Sequence, residues 1–196
     1  MTEVHAEGDE NPFGTLDEHG WLAGARVMRS PNQDARPDGI VDLVVIHAIS
    51  LPPGEFGGPW VDALFCNRLD ADAHPYFRAI VASPVSAHFF IRRDGVTTQY
   101  VSTEHRAWHA GRSCWRGRER CNDFSIGIEL EGCDSQPFTD AQYRLLIHLL
   151  NRLRSKYPIA GITGHAHIAP DRKTDPGPCF DWARLGHGLA PLIDLA

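Results

Sequence analysis

Residues 41–47 read VDLVVIH, a nearly unbroken run of β-branched and leucine side chains. A run of this length and composition fits a strand buried on both faces, and a strand of that kind belongs in the middle of a sheet. The next stretch, SLPPGEFGGPW at 50–60, carries three prolines and three glycines in eleven residues. That density rules out regular structure and predicts a shaped surface loop overhanging the strand's end, one wall of a cleft and a mobile part of the fold. Further strands are expected at 88–92, 97–101, 125–131 and 162–164, with Arg93-Asp94-Gly95 as a hairpin turn between the first two. Thr139-Asp140-Ala141-Gln142 is a capping box. It opens a helix whose apolar residues Tyr143, Leu146, Leu149, Leu150 and Leu153 recur at helical spacing, and that ends before Pro158. Shorter helices are expected at 59–65, 75–82 and 180–185. The pattern is that of an α/β protein: a single domain with a central mixed β-sheet flanked by helices.

Bulk properties narrow the function classes. A chain of 196 residues with 42% hydrophobic content can be served by one core. Its net charge of -6 argues against a dedicated nucleic-acid binder. The longest apolar stretch, 43–51, is interrupted by His47 and Ser50 and falls far short of a membrane span. Residues 1–15, MTEVHAEGDENPFGT, are acidic and lack the basic start and apolar middle of a secretory signal, which predicts a cytoplasmic protein. Residues 1–16 read as a disordered acidic tail and 17–196 as the folded unit. The five cysteines contain no CxxC pair and read as reduced thiols.

Eleven histidines are too many to be functional together, so position must discriminate. His47 ends the central strand beside the Pro/Gly loop, His165 ends the ITGH strand, and Asp175 follows ten residues later in RKTDPGP. Two imidazoles and one carboxylate form a catalytic zinc set that leaves a fourth position for water. The spacing alone is only suggestive.

The wider sequence resembles a known family. HAISLPPGEFGG, VSAHFFIRRDG, RAWHAG, GRERCNDFSIGIELEG, TDAQY and GHAHIAPDRKTDPGPCFDW occur in order, as in the 1,6-anhydro-N-acetylmuramyl-L-alanine amidases. These are zinc N-acetylmuramoyl-L-alanine amidases related to peptidoglycan recognition proteins, and the likeness runs from residue 20 to about 185. It implies that His47, His165 and Asp175 hold Zn2+, that Glu129 is the acid/base carboxylate, and that Lys173 is a second catalytic group. It also implies hydrolysis of the amide between the lactyl group of (anhydro-)N-acetylmuramic acid and L-alanine in muropeptides, in cytoplasmic peptidoglycan recycling. In bacteria with an inducible β-lactamase, loss of such an enzyme raises inducer muropeptides. A monomer acting on anhydro-muropeptide, without nucleic acid or membrane, is expected.

The residues agree with these roles. In SIGIELEG, strand alternation puts Glu129 and Glu131 on one face of an otherwise apolar strand, an unusual place for idle carboxylates; a structural ion pair is the plainer reading, above all for Glu131. Lys173 precedes Asp175 by two residues, so in an extended segment both project to one side. The resemblance assigns Arg120 a carboxylate of the stem peptide, against a surface salt bridge as the alternative, and places Tyr76 along the same cleft. Phe56, Trp60 and Trp108 read equally as sugar platforms or core. His105 and His109 stand at i, i+4 but lack the glutamate of HExxH, and His109 reads as a pocket-wall or structural residue. His167, two past His165, would share its strand face and compete as a ligand. His88 reads as a hydrogen-bonded core histidine, and Cys179 has no assigned role.

Two readings compete with the cytoplasmic enzyme: a non-catalytic peptidoglycan-fragment-binding module, which typically lacks a full ligand set, and an exported amidase acting on intact wall. The chain also departs from the family pattern at Ala48, where Asn is usual, and at His167, where Asp or Glu is common. Loss of one neutral hydrogen bond at Ala48, worth about 0.5–1.5 kcal/mol, would raise KM and leave metal affinity intact.

Overall fold

The structure is a computed structural model that describes residues 12–196. Strands β1 (Arg26–Val27), β2 (Gln33–Ala35) and β3 (Leu43–Ile49) precede helices α1 (Trp60–Phe65) and α2 (Phe77–Ile80). Strands β4 (Phe89–Ile91), β5 (Thr97–Gln99), β6 (His105–Ala107), β7 (Cys114–Trp115), β8 (Arg118–Glu119) and β9 (Ser125–Glu131) follow, then the long helix α3 (Asp140–Lys156), strand β10 (Gly161–Gly164) and the short helix α4 (His165–Ile168). Six strands form one mixed sheet in the order β1-β5-β4-β9-β3-β10. β4, β9, β3 and β10 run parallel to one another, while β5 is antiparallel to β4.

The 41–47 run becomes β3, flanked by β9 and β10, and it continues two residues past His47 to Ile49. Alternation divides its side chains. Val44 and Ile46 join Ile126, Ile128 and Leu130 of β9 in the core under α3, where Leu146, Leu149, Leu150 and Leu153 are fully buried. Each such leucine contributes roughly 1.5–3 kcal/mol by leaving water. Leu43 and Val45 face the other way, onto Ala110, Trp115, Cys121, Phe124 and Ile168. A third cluster joins Val61, Leu64 and Phe65 of α1 and Phe77 of α2 to Phe90 and Tyr100. The face opposite α3 is therefore covered in two patches.

The capping box forms as read: Thr139 Oγ1 accepts from the Gln142 amide at 3.2 Å, and the Thr139 amide donates to Gln142 Oε1 at 3.0 Å. The Gln142 side-chain amide then donates to the carbonyls of Ile91 and Glu131, fixing α3 to the ends of β4 and β9. The 93–95 hairpin also forms, with Gly95 at φ 91°, the left-handed region that a glycine adopts freely.

Some expectations are corrected. The helix expected at 75–82 is only Phe77–Ile80, and that at 180–185 is a single turn, Trp182–Leu185, capped by Asp181. Residues 1–11 of the expected tail lie outside the described residues, but the packed chain begins before residue 17: Phe13 is buried in the α3-side core, and the Gly14 amide donates to the Ala23 carbonyl. One aromatic ring, with enough apolar area to offset its ordering, carries the boundary toward the N terminus.

Candidate metal centre and active site

Register brings the site together. His47 on β3 pairs with Glu129 on β9, and Ile46 pairs with Gly164 on β10, so His165, the next residue, comes level with His47. Three adjacent parallel strands thus deliver His47, Glu129 and His165 at their carboxyl ends, where open α/β sheets bind ligands. The chain turns after Gly164 into α4, which corrects the reading of His165 and His167 as strand neighbours. Two residues on a helix diverge by about 200°, and the His167 ring packs edge-on against Trp182 instead. Asp175 comes from the following loop, pinned where its carbonyl accepts the Ala166 amide at 2.8 Å.

His47 Nδ1, His165 Nδ1 and Asp175 Oδ2 face one another, each pair 3.0 Å apart. Among the described residues, these three form the one group of His, Cys, Asp or Glu side chains whose donor atoms converge in this way. The outer nitrogens decide whether a cation fits. His165 Nε2 lies 3.1 Å from the Ala110 carbonyl, which can only accept, so the proton sits on Nε2 and Nδ1 presents a bare lone pair. His47 Nε2 lies 2.9 Å from His109 Nδ1, which can take the same accepting part. Three electron-pair donors then converge with no proton among them, as a cation requires. Bonds of about 2.0–2.1 Å to a tetrahedral zinc would place donors only a few tenths of an ångström further apart. The residues fit zinc.

The electrostatics are set by burial and by neighbouring charges. Burial, followed by the neighbouring His165, brings His47 down to about 4 against the pull of Asp175. Burial alone would raise Asp175, but the adjoining His165 and His47 side chains hold it well below the carboxylate range. Burial pushes Glu129 well above that range, Asp175 adds to the rise, and Lys173 opposes it. Among the described residues, Glu129 Oε2 is buried with no hydrogen-bond partner, on a side chain that lines a cavity of about 780 Å³.

His47, Glu129, His165, Lys173 and Asp175 all line that cavity, as does Tyr76. Arg120 does not. It projects from a left-handed residue with φ 60°, is largely exposed, and pairs with Asp123 at 3.0 Å, the surface salt bridge weighed as its alternative. Trp108 reaches the cavity; Trp60 packs on Phe77 and Phe56 lies under Arg93, outside it. The Pro/Gly loop supplies Ser50, Leu51, Pro53 and Gly54 to the cavity wall. Its far end is fastened to Glu131, which accepts from the Gly57 and Arg93 amides. Glu131 is thus the structural carboxylate of the pair. Ala48 borders the cavity at the end of β3 yet packs against the α3-side core.

Sequence reading missed Arg172, which lines the cavity and donates to the carbonyls of Ala110 and Arg112. It also missed that His109 touches His47. Neither contact has a local signature, since the partners lie 60 or more residues apart.

The mixed sheet gathers a His-His-Asp cluster, a buried carboxylate and a lysine around one cavity, a set of groups suited to hydrolysis. The family model for N-acetylmuramoyl-L-alanine amidase matches residues 36–178, and the chain belongs to that family of enzymes. Within it, the chain is 61% identical over 179 residues to the 1,6-anhydro-N-acetylmuramyl-L-alanine amidase AmpD of Citrobacter freundii, covering 90% of this chain and 95% of that one. The crystal structure of a selenomethionine AmpD derivative superimposes with a TM-score of 0.86 at 60% identity, over 88% of this chain and 97% of that one. The Escherichia coli amidase AmiD, solved in complex with the substrate anhydro-N-acetylmuramic acid-L-Ala-D-γ-Glu-L-Lys, has a TM-score of 0.55 at 32% identity, over 90% of this chain and 65% of that one.

Proposed function

We propose that this chain is a zinc-dependent amidase that cleaves the bond between the lactyl carbonyl of anhydro-N-acetylmuramic acid and L-alanine in muropeptides. The observation that carries the reading is the convergence of His47, His165 and Asp175 donor atoms beside the orphan carboxylate of Glu129, in a cavity that Lys173 also lines. The likeness to AmpD over nearly the whole chain supplies the substrate class.

An amide resists water at neutral pH, so hydrolysis needs an activated nucleophile, a stabilised oxyanion and a protonated leaving amine. When bound by His47, His165 and Asp175, zinc acidifies water to a pKa of about 7 and polarises the carbonyl. Glu129 takes the proton of the attacking water and returns it to the departing alanine nitrogen; its raised pKa brings it toward the working pH, where one carboxyl serves as both base and acid. Lys173 places an ammonium beside the oxygen that becomes anionic. Tyr76, on the cavity rim, contacts the substrate. For Arg120 the proposed partner is a stem-peptide carboxylate beyond the rim, taken in exchange for Asp123.

The complete donor set favours an enzyme over a binding module. By likeness to AmpD, we assign the enzyme to peptidoglycan recycling, on small fragments in the cytoplasm. The experiment is hydrolysis of anhydro-muropeptide against insoluble sacculi, with zinc content measured on the same preparation. Peptide release from the soluble fragment and little from sacculi is expected. A zinc-free protein that releases no peptide would show the binding module, and equal action on sacculi the wall-degrading amidase.

A further inference from the structure

One cavity histidine has no part in the chemistry above. His109 is half-buried, with its ring edge-on to that of His47, centroids 5.0 Å apart. Its Nδ1 lies 2.9 Å from His47 Nε2, and its Nε2 lies 3.3 Å from Ser125 Oγ. The proton positions follow in order. His47 directs Nδ1 at the other two donors, so its proton is on Nε2; His109 Nδ1 must then accept, which leaves the His109 proton on Nε2, directed at the Ser125 hydroxyl.

The surroundings are built for this pose. The His109 and Ala110 amides both donate to Asn122 Oδ1, at 3.1 and 2.8 Å, and the Ala110 carbonyl accepts from His165 Nε2. A single dipeptide, held by one asparagine, therefore buttresses both histidine ligands: one through a side chain, the other through a carbonyl. Gly127 on β9 leaves the room; a Cβ there would fall on the His109 ring.

We propose that His109 is a positioning residue that holds His47 in the Nε2–H tautomer and orients its Nδ1 for the metal. Such outer partners are usually carboxylates, carbonyls or water, and their loss typically costs 10–100-fold in metal affinity. The inference rests on the zinc reading, and its test separates the two.

Zinc affinity is measured by chelator competition for the wild type, His109→Leu and His109→Asn, together with the thermal midpoint of each metal-free protein. Asn puts an amide oxygen where Nδ1 stands, so it restores the acceptor without the ring. The expected result is affinity lowered roughly 10–100-fold in His109→Leu and largely recovered in His109→Asn. Unchanged affinity in His109→Leu overturns the proposal, and so does equal loss in both, because the ring would then act only as filler. A wild type that binds no zinc defeats the zinc reading instead. Imidazole 15N–1H correlation spectra of the wild type need no variant: Nε2–H on both His47 and His109 is expected, and Nδ1–H on His109 overturns the assignment.

Discussion

The two faces of β9 are made from alternate residues of one seven-residue strand and do opposite work. Ile126, Ile128 and Leu130 pack under α3 with almost no exposure. On the other face, Ser125 approaches His109, Gly127 makes room for its ring, Glu129 meets the cavity and Glu131 holds the Pro/Gly loop. The apolar face is satisfied by volume and tolerates substitutions that preserve it, whereas the polar face depends on single atoms. Stability and activity should therefore be separable by face, and substitutions can be ranked by how sharply they divide the two.

The largest effect on turnover is expected for Glu129→Gln. It keeps the shape and removes the proton carrier, so kcat should fall about 10²–10⁴-fold, with zinc content and thermal midpoint unchanged; near-normal turnover with normal zinc would defeat the acid/base role. Lys173→Met comes next, at about 10²–10³-fold in kcat, again with zinc retained. On the opposite face, Leu149→Ala should reverse the pattern. Loss of a fully buried leucine should lower unfolding free energy by about 2–5 kcal/mol in chemical denaturation, with kcat/KM near wild type at a temperature where the variant is folded.

How much of this was legible follows the same division. The β3 run, the alternation in β9 and the capping box of α3 are periodic or local signals, and each produced its element. Strands β1, β2 and β6 to β8 span two or three residues, too few to show a period, and their pairing is decided by distant partners. That His47, His165, Asp175, Glu129 and Lys173 gather in one cavity was legible through family motifs, but directions were not. Nothing in GHAH shows that the chain turns into a helix at His165 and carries His167 away. Nor does GRERCND show that Arg120 faces Asp123, because a residue's type says little about where a left-handed backbone will point it.

A smaller effect links the faces to pH. His88 accepts the Gly127 amide at Nδ1, and its Nε2 stands beside the His105 carbonyl and the Arg36 guanidinium. Burial and then Arg36 push its pKa well below the ordinary 6.5. A depressed folded-state value means that the unfolded chain takes up the proton first, so stability is full above 6.5 and declines as pH falls below it. In zinc-saturated protein, unfolding free energies from chemical denaturation, followed from about pH 7.5 down to about 5.5, should fall less steeply in His88→Asn than in wild type, by up to about 1.4 kcal/mol per pH unit; parallel slopes would remove His88 from the titration. The smallest effect is expected for Ala48→Asn. With its side chain against the α3-side core at the cavity's edge, it should change KM less than about tenfold and leave kcat alone. A changed kcat at constant KM would mean that the position reaches the chemistry.

The most direct measurement is zinc stoichiometry and anhydro-muropeptide hydrolysis on one preparation, before chelation, after it, and after zinc is restored, for wild type and Glu129→Gln side by side. About one zinc per chain is expected in both proteins, with peptide released by the wild type alone, lost on chelation and regained with zinc. Peptide release that persists without metal, or in Glu129→Gln at the wild-type rate, would contradict a metal centre at His47, His165 and Asp175 served by Glu129.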